Sequence, residues 1–310
     1  MGSTTPITNG MGEGHISKPW IKTPLVRSAA LSRHAGCNVW LKLENLQPSG
    51  SFKSRGIGNL LIRGNAGLAC AHAAFSLKRP CTIVVPMTTS SHMISKIKLL
   101  KAEVVQTGNH WSEADRYLRE ELLANDANGV YVPPFDHPEI WEGNSGVITE
   151  IEEEFGCGDL QHWGGGLFNG IMKGLEESGR LGAHSGTKVI GVETTGTASF
   201  HAAMKREELV RLDGIDSIAT SLGATQEERE ECSVGDAESV DGMVWMADEE
   251  RILVESACGV SVAVATNGML KKILEEDGET VEGKNVVIVV CGGSNISLKT
   301  LAEYRERFGV

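Results

Sequence analysis

The sequence predicts an α/β fold built on doubly wound parallel sheets, and three observations carry that prediction. Several short segments have continuous apolar cores rich in β-branched residues: CTIVVP at 81–86, KVIGVE at 188–193 and NVVIVVC at 285–291. Strands of that kind are covered on both faces, as in parallel sheets, whereas strands with one wet face alternate. Helical patterns separate the strands, which suits crossover connections. The last apolar strand ends in the Gly292–Gly293 turn, and open α/β sheets place ligands at such carboxyl ends.

In chain order, residues 39–44 form a first short strand. Residues 51–63 form a helix after a Pro/Ser/Gly turn, with Ser49 or Ser51 as its N-cap. An alanine-rich helix follows at 65–77. Strands at 81–86 and 103–107 flank a helix at 91–101. Residues 111–125 space apolar positions as an amphipathic helix does, and 129–133 form a short strand. Helices at 142–155 and 167–177 come next, the second entered from the glycines at 164–166. The strand at 188–193 leads to a helix at 199–205. A long apolar helix at 260–274, the strand at 285–291 and a closing helix at 297–308 complete the chain. Three joins are short for such a fold. Eleven residues separate Lys53 from Asn65, room for one helix of about 15 Å and no strand. The segment 157–163 is polar and 225–235 is charged, so neither predicts a strand. The expectation is a chain that omits residues the fold needs and that folds poorly as written.

At 310 residues the chain has room for one or two domains with a full core. A net charge of −12 argues against nucleic acid as a partner. No apolar run reaches the ~18 residues of a membrane span, so no membrane partner is expected. Residues 1–14 are polar and Gly/Thr-rich, unlike a secretory signal or a transit peptide, and read as a disordered leader. The seven cysteines are scattered, odd in number and without CxxC spacing. That argues against a disulfide framework or a zinc site and for a reducing, cytoplasmic compartment.

Lys53 follows Phe52 at a helix start, within KLENLQPSGSFKSRG at 42–56. A lysine fixed there beside an aromatic ring suits Schiff-base chemistry, because desolvation favours a neutral, nucleophilic amine. A solvated lysine in a first helical turn is the plainer alternative. GGGLFNGIMKG at 164–174 exposes backbone N–H groups ahead of a helix, either as a phosphate cradle or as a tight turn. RGNAG at 63–67 sets Asn65 between glycines, a common place for a turn residue. Cys291 stands at a strand end in VVCGGSNIS at 289–297, where a buried cysteine is usually inert packing. GVETTGTASFHAA at 191–203 and SLGA at 221–224 add Glu193 and a set of backbone carbonyls.

Taken together and in this order, these motifs resemble the serine/threonine dehydratase family of pyridoxal-phosphate enzymes, the tryptophan-synthase-β-like or fold type II group. The resemblance runs from residue 23 to 308. It implies two doubly wound domains, the smaller (47–139) inserted in the larger (1–46 and 140–310). It implies pyridoxal 5'-phosphate held covalently by Lys53, packed by Phe52 and hydrogen-bonded by Asn65. Gly164, Gly165, Gly166 and Leu167 would hold the cofactor phosphate, and Cys291 would meet the pyridine nitrogen. Gly64, Asn65 and Ala66 would bind the substrate carboxylate, with Ile62 at the place of the family's serine. Glu193, Thr197, Leu222 and Ala224 fall where the family holds a monovalent cation, implying K+. A neutral thiol at the ring nitrogen would weaken the electron sink and suit β-elimination. The implied activity converts L-serine, and L-threonine, to a 2-oxo acid and ammonia, in amino-acid catabolism and gluconeogenesis. The implied assembly is a homodimer. A threonine-specific deaminase, a β-replacing enzyme and a non-catalytic binding protein of the same fold are the alternatives.

Overall fold

The computed structural model describes residues 18–63, 68–133, 136–155, 161–163, 167–181, 186–197, 216–219, 222, 231–276 and 278–310. The leader at 1–14 and the helix expected at 199–205 lie outside the described residues. The elements are β1 (Leu25–Ser28), α1 (Ala29–Ala35), β2 (Asn38–Lys42), α2 (Lys53–Arg63), α3 (Leu68–Ser76), β3 (Thr82–Val85), α4 (Ser91–Leu99), β4 (Glu103–Gln106) and α5 (Trp111–Tyr117). They continue with α6 (Pro138–Phe155), β5 (Gln161–Trp163), α7 (Phe168–Glu177), β6 (Lys188–Thr194), β7 (Glu231–Val234), α8 (Asp236–Trp245), α9 (Ser256–Thr266), α10 (Met269–Glu276), β8 (Asn285–Val289) and α11 (Leu298–Phe308).

Among the described residues, six strands form the main sheet in the order β1-β2-β8-β5-β6-β7. β1 runs antiparallel to β2, and the other pairings are parallel. β3 and β4 form a separate two-stranded parallel sheet. Successive strand residues face opposite sides. Val286, Ile288 and Val290 thus join Ile190, Val192, Val39 and Leu41 under α8, α9 and α10. Val287 and Val289 join Val189 on the other face, against Val147, Ile148 and Ile151 of α6 and Ile171 and Leu175 of α7. A third apolar cluster fills the small unit, from Ile57 and Leu60 of α2 to Ile83 and Ile97.

α2 crosses α6 in close backbone contact at Gly143. A Cβ on Gly143 would stand 2.5 Å from the Arg55 carbonyl and 2.8 Å from the Gly56 Cα, so only glycine permits the crossing. This crossing sets the helix that starts with Lys53 against the large sheet's layer.

Four expectations are corrected. The polar segment before the glycine run does contain a strand, β5, which pairs with β6 and touches β8. The charged segment ends in β7, which pairs with β6 from Gly191 to Thr194. Each is short and held by ladder bonds from its neighbour, which a polar sequence does not preclude. Residues 129–133 form no strand: Val130 is 56% exposed and Pro133 has no N–H to donate. The helix expected at 260–274 is two helices, broken at Gly268, whose φ of +83° is left-handed. Asn267 Oδ1 then accepts from Met269 N–H at 3.0 Å and opens α10.

Candidate active site

The site sits where β2 and β8, parallel neighbours, reach their carboxyl ends. The chain leaving β2 and the chain leaving β8 stay zipped together. Val290 N–H donates to the Lys42 carbonyl at 2.9 Å, and Asn45 N–H to the Val290 carbonyl at 2.9 Å. Phe52 N–H then donates to the Cys291 carbonyl at 3.0 Å, and Gly293 N–H to the Gly50 carbonyl at 3.1 Å. Ser51 and Gly292 form an antiparallel bridge. A Cβ on Gly292 would come within 2.9 Å of Ser51 Cβ, so glycine is required there. The first turn of α2 is tight, with Ser54 N–H donating to the Ser51 carbonyl and Arg55 N–H to the Phe52 carbonyl. The expected side-chain caps act otherwise: Ser49 Oγ bonds Ser54 Oγ at 2.7 Å, and Ser51 contributes its carbonyl.

Two further elements grip the loop after Cys291. Glu255, at the N-cap of α9, donates its N–H to the Gly292 carbonyl at 3.2 Å. Its carboxylate accepts from Asn295 N–H at 3.3 Å. From the small unit, Lys96 Nζ on α4 donates to the Ser294 carbonyl at 2.9 Å.

Beneath α2 lies a buried ion cluster. The Arg55 guanidinium, 1% exposed, bonds Glu44 on one side and Glu150 on the other at 2.6–2.7 Å. Lys42, fully buried, donates to Glu150 at 2.7 Å and to the Thr23 carbonyl at 2.7 Å. Burial alone would lower the Arg55 pKa, but the bonds from Glu44 and Glu150 outweigh it and raise it. Burial pushes Glu150 up, and Arg55 and Lys42 together bring it below the usual carboxylate value. Lys53 differs from these cations. It is half-buried, and among the described residues its amine makes no hydrogen bond or ion pair. Its charge reaches the Cys291 thiol. That thiol lies well above its ordinary range, through its hydrogen bond with Cys258, its burial and the Glu255 charge, with Lys53 pulling the other way.

The remaining expected residues divide. Phe52 is half-buried against the cluster of α6 and α7. Leu167 is 1% exposed and leads directly into α7. Glu193 and Thr197, both buried, stand at and just past the end of β6. Thr194 bonds Thr197 and Ser217, which ties the segment carrying buried Leu222 to the same end of the sheet. Gly64, Asn65, Ala66, Gly164, Gly165, Gly166 and Ala224 lie outside the described residues. Sequence reasoning did not find Cys258, Glu255, Lys96 or the Arg55 cluster. Lys42, Glu44 and Arg55 do lie in the lysine motif itself, but the motif is polar enough that nothing in its composition marked these three charges as buried.

A family profile described as "Pyridoxal-phosphate dependent enzyme" matches residues 16–292. The chain belongs to that family, and its fold is the type II fold of pyridoxal-phosphate enzymes. Within it, the chain is 38% identical to an "L-serine dehydratase/L-threonine deaminase" of Homo sapiens, over 94% of this chain and 96% of the relative. It is 35% identical to a "Catabolic L-serine/threonine dehydratase" of Saccharomyces cerevisiae, over 91% of this chain and 89% of the relative. A solved fungal L-serine ammonia-lyase from Rhizomucor miehei matches with a TM-score of 0.85 at 30% identity, over 94% of this chain and 99% of that one. The human alignment spans 319 positions, while 94% of 310 residues is about 291, so about 28 positions lack a residue here. The short joins agree with that difference. Lys53 fits the cofactor: a half-buried primary amine without a bonded partner among the described residues, amid cations that are each paired.

Proposed function

We propose that the protein is a pyridoxal-phosphate-dependent L-serine ammonia-lyase that also accepts L-threonine. The observation that carries this reading is the half-buried Lys53 amine, which makes no hydrogen bond or ion pair among the described residues and whose charge reaches the Cys291 thiol, in a chain related to serine dehydratases. When bound, pyridoxal phosphate supplies the electron sink for the pair left by the Cα–H bond. Lys53 would hold the cofactor through its amine and, with that amine free, would take the proton from the substrate Cα. Departure of the β-hydroxyl and hydrolysis give pyruvate and ammonia from serine, and 2-oxobutanoate and ammonia from threonine. Phe52 packs the ring. Gly164, Gly165, Gly166 and Leu167 would hold the cofactor phosphate through backbone N–H groups. Gly64, Asn65 and Ala66 take the substrate carboxylate, and Asn65 also orients the cofactor. Cys291 faces the ring nitrogen. Its thiol is pushed well above its ordinary range by the hydrogen bond with Cys258 and by burial, so it would not hold a proton on that nitrogen as a carboxylate would. Elimination is thereby favoured over racemisation.

Glu193, Thr197, Leu222 and Ala224 hold K+ in this reading. Residues 47–139 form the small domain, supported by the separate β3–β4 sheet and its own apolar cluster. The assembly is a homodimer and the compartment the cytoplasm. The test is 2-oxo acid release from L-serine and L-threonine with added cofactor and K+. A cofactor-loaded protein that releases neither acid overturns the reading. Lys53→Ala should lower turnover by about 10²–10⁴-fold or more and abolish borohydride-reducible cofactor attachment. Reducible attachment at another lysine would move the site elsewhere.

A further inference from the structure

Two cysteines with no part in the site above are brought together by the small unit. Cys70 lies on α3 and Cys81 directly ahead of β3, and their sulfurs are 3.4 Å apart. The turn between them is pinned by backbone bonds. Leu77 N–H donates to the Ala73 carbonyl at 2.8 Å, Arg79 N–H to Ala74 at 2.8 Å, and Glu103 N–H to Cys81 at 2.9 Å. A disulfide bond measures about 2.05 Å, so the sulfurs need approach by only about 1.4 Å. The two thiols are unequal. Cys70 is buried at 5% exposure, among Ile57, Leu60 and Ile83. Cys81 is half-buried and flanked by exposed Arg79, Pro80 and Thr82. The hydrogen bond with Cys70 lowers the Cys81 pKa against the effect of burial, and exposed Lys78 and Arg79 attract an anionic reagent.

We propose that Cys70 and Cys81 are a redox-active pair that exchanges with small anionic disulfides of the glutathione type and closes to an intramolecular disulfide. The Cys81 thiolate attacks one sulfur of the small disulfide, breaks its S–S bond and expels one thiolate. Cys70 then gives its proton to that thiolate and attacks the Cys81 sulfur, expelling the second, which takes up the proton Cys81 had released. Two protein thiols are oxidised and one small disulfide is reduced to two thiols. The bond ties α3 to β3. Since α3 packs on α2 through the cluster around Ile57 and Leu60, the modification restrains the layer behind Lys53.

The cofactor-loaded protein is equilibrated in buffers of graded glutathione to glutathione-disulfide ratio, acid-quenched and peptide-mapped. The expected product is a linked Cys70–Cys81 peptide, reversed by dithiothreitol, with no lasting mixed disulfide in the wild type. Cys70→Ala should stop at a glutathione adduct on Cys81, whereas Cys81→Ala should leave Cys70 reduced. Amide exchange across residues 68–76 should slow on oxidation. A mixed disulfide persisting on Cys81 in the wild type, or a linked peptide formed only after unfolding, overturns the pairing. Unchanged exchange across 68–76 overturns the restraint on α3. The wild-type map needs no variant, so a poorly folded substitution does not decide the outcome.

Discussion

Cys258 and Cys291 act as a pair at the end of β8. Cys258 is fully buried in the first turn of α9, and its hydrogen bond is the foremost reason the Cys291 thiol stays protonated. Removing that bond leaves burial and Glu255 to resist ionisation, with Lys53 favouring it. Cys258→Ala should therefore lower the pH midpoint of Cys291 alkylation, measured by iodoacetamide mass labelling on cofactor-free protein. A midpoint unmoved, or moved up, would mean that burial alone sets the thiol. Lys53 belongs to the same scale: neighbouring Lys42 and Arg55 are locked into carboxylates, whereas the Lys53 amine, proposed to carry the cofactor, makes no hydrogen bond or ion pair among the described residues.

At the scale of elements, the ion cluster joins β2, α2 and α6 and so fixes the helix that opens with Lys53. Buried ion pairs add little net stability when intact, but removing one partner strands the others and costs about 3–5 kcal/mol. Glu150→Gln should lose on that order in denaturant unfolding, since Arg55 and Lys42 both point at Glu150. The pH dependence follows from the direction of its shift. Glu150 lies below the ordinary value of 4.5 in the folded chain, so its carboxylate stabilises the fold fully above that pH. The contribution disappears as pH falls through the depressed folded value. The wild type should show a falling melting temperature below pH 4.5 that is shallower in Glu150→Gln. Equal slopes would place the acid-labile group elsewhere.

For the whole molecule, the two sheets meet at the loop after Cys291. Lys96, on the helix between β3 and β4, reaches the Ser294 carbonyl across that junction. A charged donor to a part-buried carbonyl contributes about 1.5 kcal/mol, equivalent to roughly tenfold in an equilibrium. Lys96→Met should raise the KM for L-serine by up to about tenfold with cofactor affinity unchanged, and Lys96→Arg should restore most of it. A KM indifferent to both substitutions would show that the two units dock without this contact.

What could be read from the sequence was what is encoded locally. Long periodic helices such as α6 and α11 and the apolar runs of β6 and β8 carry their own signature, because each buries a face or both faces whatever its partners are. The lysine and glycine motifs are contiguous, so the family could be recognised from them. The partnerships were not encoded locally. β5 (QHW) and β7 (ECSV) are short mixed segments that become strands only because neighbouring strands offer ladder bonds, and no composition announces that. The break at Gly268 is a backbone dihedral, invisible in an apolar run that continues on both sides. The pairing of Cys258 with Cys291, and of Cys70 with Cys81, is set by where strand ends, helices and a tight turn deliver chain segments. A side chain's chemistry comes from its neighbours, and those neighbours are chosen by sheet register and helix crossing in the folded chain.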